Sequence, residues 1–327
     1  DRCTSDLGSN KIKGHFQYEK YMDIRALRYF TAVAGTGHMT RAAEQLGIQQ
    51  PPLSQQIKAL ERELGVLLFR RHPRGVALTD AGRLFQAEAL RMLQDMEAMK
   101  KRMARVAEGQ AGTLAVGFTS SAAAHRFMPE ALRAFRRAHP DVELQLREDN
   151  AAELTEALAA GRLHCGLLRV PVARPEGLVF ETLLREPVLV AMPSDHRLAL
   201  ARSKASRPLP LAKLCEEGII LVRRPGAPGL YAELLALCHA KGLRPRVVAE
   251  VDRMMTNLNL VAAGVGLSVV PASMRGVHAH AIAYARLADG GQLDAPLTLV
   301  LRAEEDNLPA QHFAALLRRL ANENPES

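Results

Sequence analysis

Two adjacent prolines, Pro51 and Pro52, stand at the head of a segment that otherwise has the pattern of a helix. In "GIQQPPLSQQIKALEREL" the residues Leu53, Ile57, Leu60 and Leu64 recur at spacings of four, three and four, which puts them on one stripe. Proline fits only the first turn of a helix, where the N–H groups lack an intrahelical partner, so the pair fixes where this helix starts. Pro51, Gln55, Lys58 and Arg62 repeat the spacing on the opposite face, and Ser54 lies on the flank. That outer face is short, polar, cationic at its far end and free of acids. The Gln55 amide offers a donor and an acceptor together, which suits the edge of adenine, while Lys58 and Arg62 suit phosphates or guanine.

Upstream, "TRAAEQLG" reads as a short helix. Thr40 is expected to cap it, with Arg41 beside the cap, Ala42, Ala43 and Leu46 inward, and Gly47 in the left-handed turn. "IRALRYFTAVAGTG" places Leu27, Phe30 and Ala34 on one face of an earlier helix. Together these make a helix-turn-helix. Downstream, Val66, Leu67, Leu68 and Phe69 lead through Arg70, Arg71, His72, Pro73, Arg74 and Gly75 to Val76, Ala77 and Leu78. The spacing predicts a two-stranded wing with Arg71, His72 and Arg74 at a basic tip, placed for sugar-phosphate or the minor groove. The bland alternative is a small helical domain with a solvated charged face. Against it, residues 22–108 hold 14 Lys/Arg and 9 Asp/Glu, a surplus of five in a chain whose whole net charge is +8.

Thr79 can cap a further helix, with Asp80 near its positive end. No proline or glycine interrupts residues 83–108. Phe85, Ala89, Met92, Met96, Met99, Met103 and Val106 alternate at four and three, the repeat of a coiled coil, over about 40 Å of helix. These residues are expected to join two subunits and so to space two outer faces along a two-fold symmetric duplex. An amphipathic helix packed on its own domain is the other reading.

From Gly112 the texture becomes strand and helix in alternation. "TLAVGFT", "VELQLRED" and "HCGLLRV" read as strands around helices at "RFMPEALRAFRRAHP" and "AELTEALAAGRL", and this order predicts a parallel sheet. A second set follows in "GIILVRR", "GLYAELLALCHAKGL", "RVVAEV", "MMTNLNLVAAGVG" and "LSVVP". A crossover near Arg185 and a return near Pro271 describe two lobes with a cleft. Ser120 and Ser121, after the first strand, form a plausible carboxylate cradle or a simple cap. Asn150 heads the next helix and joins the expected pocket. Arg169 ends its strand, either reaching a ligand carboxylate across the cleft or facing solvent. In "LVRRPGAPGLY", Arg223, Arg224 and the N-terminus of the helix starting near Gly229, with Leu230 in its first turn, are either the second lobe's contribution or part of a solvated loop.

At these residues the chain resembles the LysR-type transcriptional regulators. The likeness is carried by "LRYFTAVAGTGHMTRAAEQLGIQQPPLSQQIKALERELGVLLFRR" and "RGVALTDAGRLF", and more weakly to about Leu320. The family usually has Ser or Thr where Gln49 stands, before Gln50. A hydroxyl there would cap the helix, and glutamine caps less well by about 1 kcal/mol unless its side chain serves DNA. The resemblance implies a periplasmic-binding-protein-like effector domain, paired linker helices and dimers that often pair into tetramers. It also implies double-stranded DNA and a small organic acid as partners, with RNA polymerase a further one. In the family the match of Ser121 lies in the effector pocket. Some aromatic-acid-responsive members have Arg at the match of Arg169, and such members often have Ser or Thr where Ala151 stands. "QPPLSQQ" and "LVAAGVGLSVVPAS" resemble most the branch controlling aromatic-compound degradation.

The expected architecture is α+β and multidomain. A tail over residues 1–21 precedes Met22, the expected natural start, and a winged helix-turn-helix occupies 22–79 and a linker helix 80–109. The effector-binding domain follows over 112–327, with lobe I at about 112–184 and 271–293 and lobe II at about 185–270 and 294–327. Cys3, Cys165, Cys215 and Cys238 show no metal or disulfide spacing, which argues for a reducing, cytoplasmic setting. A peroxide sensor would need an exposed, low-pKa thiol with a resolving partner, and the spacing shows none. His278 and His280 alone make no metal site, and Gly264 and Gly266 make no dinucleotide loop. No cofactor, no membrane span and no catalytic set is read from the residues. The alternative function is a solute-binding protein whose N-terminal helices serve only oligomerisation.

Overall fold

The computed structural model describes residues 22–169, 175–201, 207–222, 229–288 and 293–323. Contacts divide the chain into two compact units, one ending at Met103 and one beginning at Ala104. In the first, α1 (Ile24–Thr36) starts where the Asp23 carboxylate accepts the Ala26 N–H at 2.7 Å. It ends at Gly37, and α2 (Met39–Leu46) follows. Thr40, expected to cap α2, is instead its second residue; His38 stands at the cap, without a side-chain hydrogen bond. Gly47 takes the left-handed conformation at φ 67°, and α3 (Gln50–Leu64) begins with the two prolines in its first turn. Leu27, Phe30, Val33, Ala42, Ala43, Leu53, Ile57 and Leu60 form the core beneath the three helices.

The wing is the antiparallel pair β1 (Phe69–His72) and β2 (Gly75–Leu78), with Phe69 opposite Leu78. It starts later than the apolar run suggested. The Glu61 carboxylate takes the N–H groups of Leu68 and Phe69 at 2.8 and 3.1 Å, and Val66 and Leu67 stay exposed. Next, α4 (Asp80–Ala107) is capped by Thr79, whose Oγ accepts the Gly82 N–H at 2.9 Å. A Cβ at Gly82 would stand 2.1 Å from the Leu68 carbonyl oxygen, so this close approach of helix to wing admits only glycine.

Within the second unit, one sheet runs in the order β10–β6–β11–β5–β3–β4, from Ile282–Arg286, Leu178–Pro193, Asp294–Arg302, Cys165–Leu168, Ala111–Phe118 and Asp141–Glu148. β3 pairs in parallel with β4 and β5, as the alternation predicted. Helices α5 (Ser120–Ala123), α6 (Phe127–Ala138) and α7 (Ala151–Ala159) connect them. The long β6 serves two cores. Its first half pairs with β11, and its second half pairs with β9 (Ser268–Pro271) and β10. On that second core lie α8 (Arg197–Leu200), α9 (Leu211–Cys215), β7 (Gly218–Val222), α10 (Gly229–Ala240), β8 (Arg246–Val251) and α11 (Met254–Ala262), with β7 parallel to β8.

The pairing corrects the lobe assignment of the C-terminal segments. Residues 271–293, expected in lobe I, include β10, which joins the lobe II half of β6. Residues 294–327, expected in lobe II, include β11, which lies beside β5, and α12 (Leu308–Glu323), whose Phe313 packs on Phe135 of lobe I at 5.1 Å. The return crossing therefore falls between β10 and β11 rather than near Pro271. Alternation along "DAPLTLVLR" says that the strand is half-buried, but either sheet could take it.

Candidate functional site

On α3 the side chains of Pro51, Pro52, Gln55, Lys58 and Arg62 are all exposed, as are Gln49 and Gln50 before them. Gln49 makes no side-chain cap bond, so its amide remains outward. Gln50 Nε2 donates to Ser54 Oγ at 2.8 Å, which holds the first turn's polar edge in place. Gln55, Lys58, Glu61, Arg62, Gly65, Val66 and Leu67 line an open groove of about 630 Å³. Glu61 is the acid of that groove, and its carboxylate is turned onto backbone N–H groups as described above. Thr40 and Arg41 are exposed at the start of α2.

The wing presents Arg70, Arg71, His72 and Arg74 to solvent. Its turn is shaped by the Arg74 N–H donating to His72 Nδ1 at 3.2 Å. Gly75 lies at φ 136°, where a Cβ would meet the Gly37 carbonyl oxygen at 2.3 Å. The Val76 N–H donates to that same oxygen at 2.8 Å, so the wing is pinned to the turn between α1 and α2. Every cation and amide predicted for this face is thus outward, on elements fixed by one core.

Along α4 the predicted seam divides. Phe85 meets Phe30 edge-to-face at 4.8 Å and Ala89 is fully buried, both in the core of their own unit. For Ala89 the expected place in a subunit seam is corrected, since its own unit covers it; Phe85, half-buried, gives part of its ring to that core, and the first turns of α4 close over α1. Met92, Met99, Met103 and Val106 are 48%, 50%, 57% and 46% exposed, and Met96 is half-buried.

In the second unit Thr119, not either serine, caps α5, its Oγ accepting the Ala122 N–H. Ser120 is half-buried and Ser121 is buried. Asn150 caps α7 through the Glu153 N–H at 3.1 Å, and its own N–H is held by Asp149 Oδ1 at 2.9 Å. Leu230 is buried on α10. Arg223 and Arg224 lie outside the described residues.

Arg169 departs most from expectation. It is buried, and it forms an ion pair with Glu186, on β6 where the strand changes lobes. The guanidinium also donates to the Ser121 carbonyl at 3.0 and 3.2 Å, to the Ala295 carbonyl at 3.2 Å and to Ser273 Oγ at 3.0 Å. Glu186 in turn accepts from the Ser273 N–H and hydroxyl at 2.6 and 2.9 Å. Burial draws the arginine's pKa down and Glu186 opposes that shift. The carboxylate that Arg169 reaches is the chain's own, so it does not stand ready for a ligand. Sequence reasoning missed Glu186, Ser273, Asp149 and Arg253. The available signal was an acid set within the mostly apolar "LVFETLLREPVLVAMP", where a buried charge demands a partner.

Two thiols also meet. Cys215 Sγ lies 3.5 Å from Cys238 Sγ, a pairing that no sequence spacing disclosed. Burial pushes Cys215 up to about 12 and Cys238 upward as well, opposite to what a reactive thiolate requires.

Residues 24–83 match the model of the bacterial regulatory helix-turn-helix protein, lysR family, and residues 107–322 match the LysR substrate binding domain. The chain belongs to the LysR family. An uncharacterized HTH-type transcriptional regulator of Escherichia coli (strain K12), YnfL, is 40% identical over 268 residues, 82% of this chain and 88% of that protein. The HTH-type transcriptional regulator AlsR of Bacillus subtilis (strain 168) is 35% identical over 292 residues, 89% of this chain and 94% of it. The crystal structure of full-length CbnR complexed with its target DNA is similar with a TM-score of 0.76 and 32% identity, covering 92% of this chain and all of that one. This LysR-family chain is therefore a DNA-binding transcriptional regulator with an effector-binding domain, which sets aside the reading of a solute binder with N-terminal oligomerisation helices. Among the described residues no helix is long and apolar enough to cross a membrane.

Proposed function

We propose that the outer face of α3 lies in the major groove and reads sequence through Gln55, with Lys58 and Arg62 on phosphate or guanine. Thr40, Arg41, Gln49, Gln50, Pro51, Pro52 and Ser54 position it against the backbone, and Arg71, His72 and Arg74 carry the wing to sugar-phosphate or the minor groove. The observation that supports this best is an exposed row of amides and cations along a groove whose lining acid, Glu61, is bound to backbone N–H groups. The exposed part of the α4 stripe, Met92, Met96, Met99, Met103 and Val106, joins two copies into a dimer, and dimers pair into tetramers. Two copies then meet a two-fold symmetric site. The protein works in the cytoplasm, without catalysis of its own, and regulates RNA polymerase at the promoters it occupies.

The effector is a small organic acid held between the lobes near Ser120, Ser121, Asn150 and Leu230, in the manner of the aromatic-degradation branch. Its binding energy must differ between two arrangements of the lobes if it is to move the DNA-bound state. Affinity for a two-fold symmetric duplex, measured from 50 to 200 mM salt, tests the DNA assignment. About six to ten phosphate contacts imply a loss of roughly 10³–10⁵, and a salt-independent affinity would refute the assignment.

A further inference from the structure

The lobes of the second unit are tied together at two unlike places. One is the Arg169–Glu186–Ser273 knot, where both charged side chains are 7% exposed and six further hydrogen bonds surround the ion pair. It sits where β6 and β11 cross between lobes. The other is an ion pair away from the crossing strands, beside the packing of α11 on α5. Arg253, which caps α11 of lobe II, donates to Asp149 of lobe I at 3.1 Å. Asp149 is 10% exposed in its side chain and Arg253 is 44% exposed.

Asp149 does not depend on that contact. Arg147 of its own lobe donates to the other carboxylate oxygen at 2.8 Å, and the Asn150 N–H and amide hold the first at 2.9 and 3.4 Å. Were the lobes to separate, the carboxylate would keep these partners and the half-exposed Arg253 would pass into water. Breaking the knot, by contrast, would leave a buried charge alone, at far greater cost. The cheap contact and the costly one therefore fall at different distances from the strands that connect the lobes.

We propose that Asp149–Arg253 is a releasable latch across the cleft, and that the lobes pivot on the Arg169–Glu186–Ser273 knot when it opens. The latch lies beside Asn150 and on the helix, α11, that packs against α5. It thus governs access to the same cleft that the proposed effector uses, and its regulatory meaning rests on that reading. Removing either partner leaves the folded lobes intact and raises the open population by about five-fold, the scale of a half-exposed ion pair.

The test uses the full chain, with Cys3 and Cys215 replaced by serine and spin labels on Arg133→Cys in lobe I and Arg244→Cys in lobe II. Labelled chain is diluted with unlabelled chain so that distances within one subunit are read by electron–electron resonance. D149N and R253Q should each raise the longer-distance fraction about five-fold, and the double variant should go no further than either alone. R253K should restore the short distance. R147Q, inside lobe I, should not open the lobes. Unchanged distances in both D149N and R253Q overturn the latch, as does opening in R147Q equal to that in D149N. If D149N melts early, R253Q against R253K decides. Benzoate and muconate titrations form a separate arm: wild-type distances insensitive to both, with the variants behaving as expected, would remove the organic-acid reading and leave the latch standing.

Discussion

Arg169 and Glu186 pair inside the protein, at the point where one strand passes from the first lobe to the second. Removing one member leaves the other buried and charged, so R169M or E186M should each destabilise the C-terminal unit by about 3–5 kcal/mol. The double variant R169M/E186M should lose much less than the sum of the two single losses. Urea unfolding of the four proteins checks this, and additive losses would mean that the two groups act independently.

The α4 stripe should behave as two segments. Phe85→Ala removes a half-buried aromatic ring packed on Phe30 and should lower the stability of the N-terminal unit by about 2 kcal/mol, less than a fully buried ring would cost. Met99→Lys places a charge on an exposed position and should leave melting nearly unchanged while splitting the oligomer, as read by sedimentation. A folded, still oligomeric M99K protein would take the seam elsewhere.

This division was only half legible in the sequence. The alternation of four and three identified one stripe from Phe85 to Val106, but periodicity cannot say which neighbour covers each turn. The same limit explains the exchanged C-terminal segments, because the pattern of β11 fits either lobe. Where one residue type has one use, the reading was sharp: Pro51 and Pro52 stand in the first turn of α3, and Gly47 takes positive φ. Arg169 was read as reaching a ligand carboxylate or facing solvent, and its partner escaped notice because Glu186 lies 17 positions away on a different strand. Thr40 yielded the cap position to His38 because α2 begins one residue earlier than its best capping side chain.

Cys215 and Cys238 should resist alkylation at neutral pH in the folded chain. Burial raises both thiols, Cys215 to about 12, so thiolate forms only in strong base. Labelling by iodoacetamide between pH 7 and 9 should stay slow until denaturant is added. Rapid labelling of Cys215 at pH 7 would show an exposed, acidic thiol instead.

Asp149 carries a pH prediction of defined sign. Burial raises its pKa, but hydrogen bonds with Glu153, Arg147 and the Asn150 N–H outweigh that and leave it at about 2. A carboxyl depressed below its unfolded value of about 3.9 stabilises the fold fully above that pH and loses the effect as pH falls through about 2. The latch should therefore be constant from pH 8 to 5. A lobe separation that changes within that window would assign the switch to a different group.

The reading of DNA by the outer face of α3 is tested most directly by the base preferences of Gln55→Ala, measured by affinity against every single-base variant of a selected duplex site. The account predicts a loss of about 1–3 kcal/mol on the preferred site and a flattened preference at one base pair in each half-site, with the other positions unchanged. An equal loss on all sequences, with every preference intact, would contradict it and make Gln55 a backbone contact.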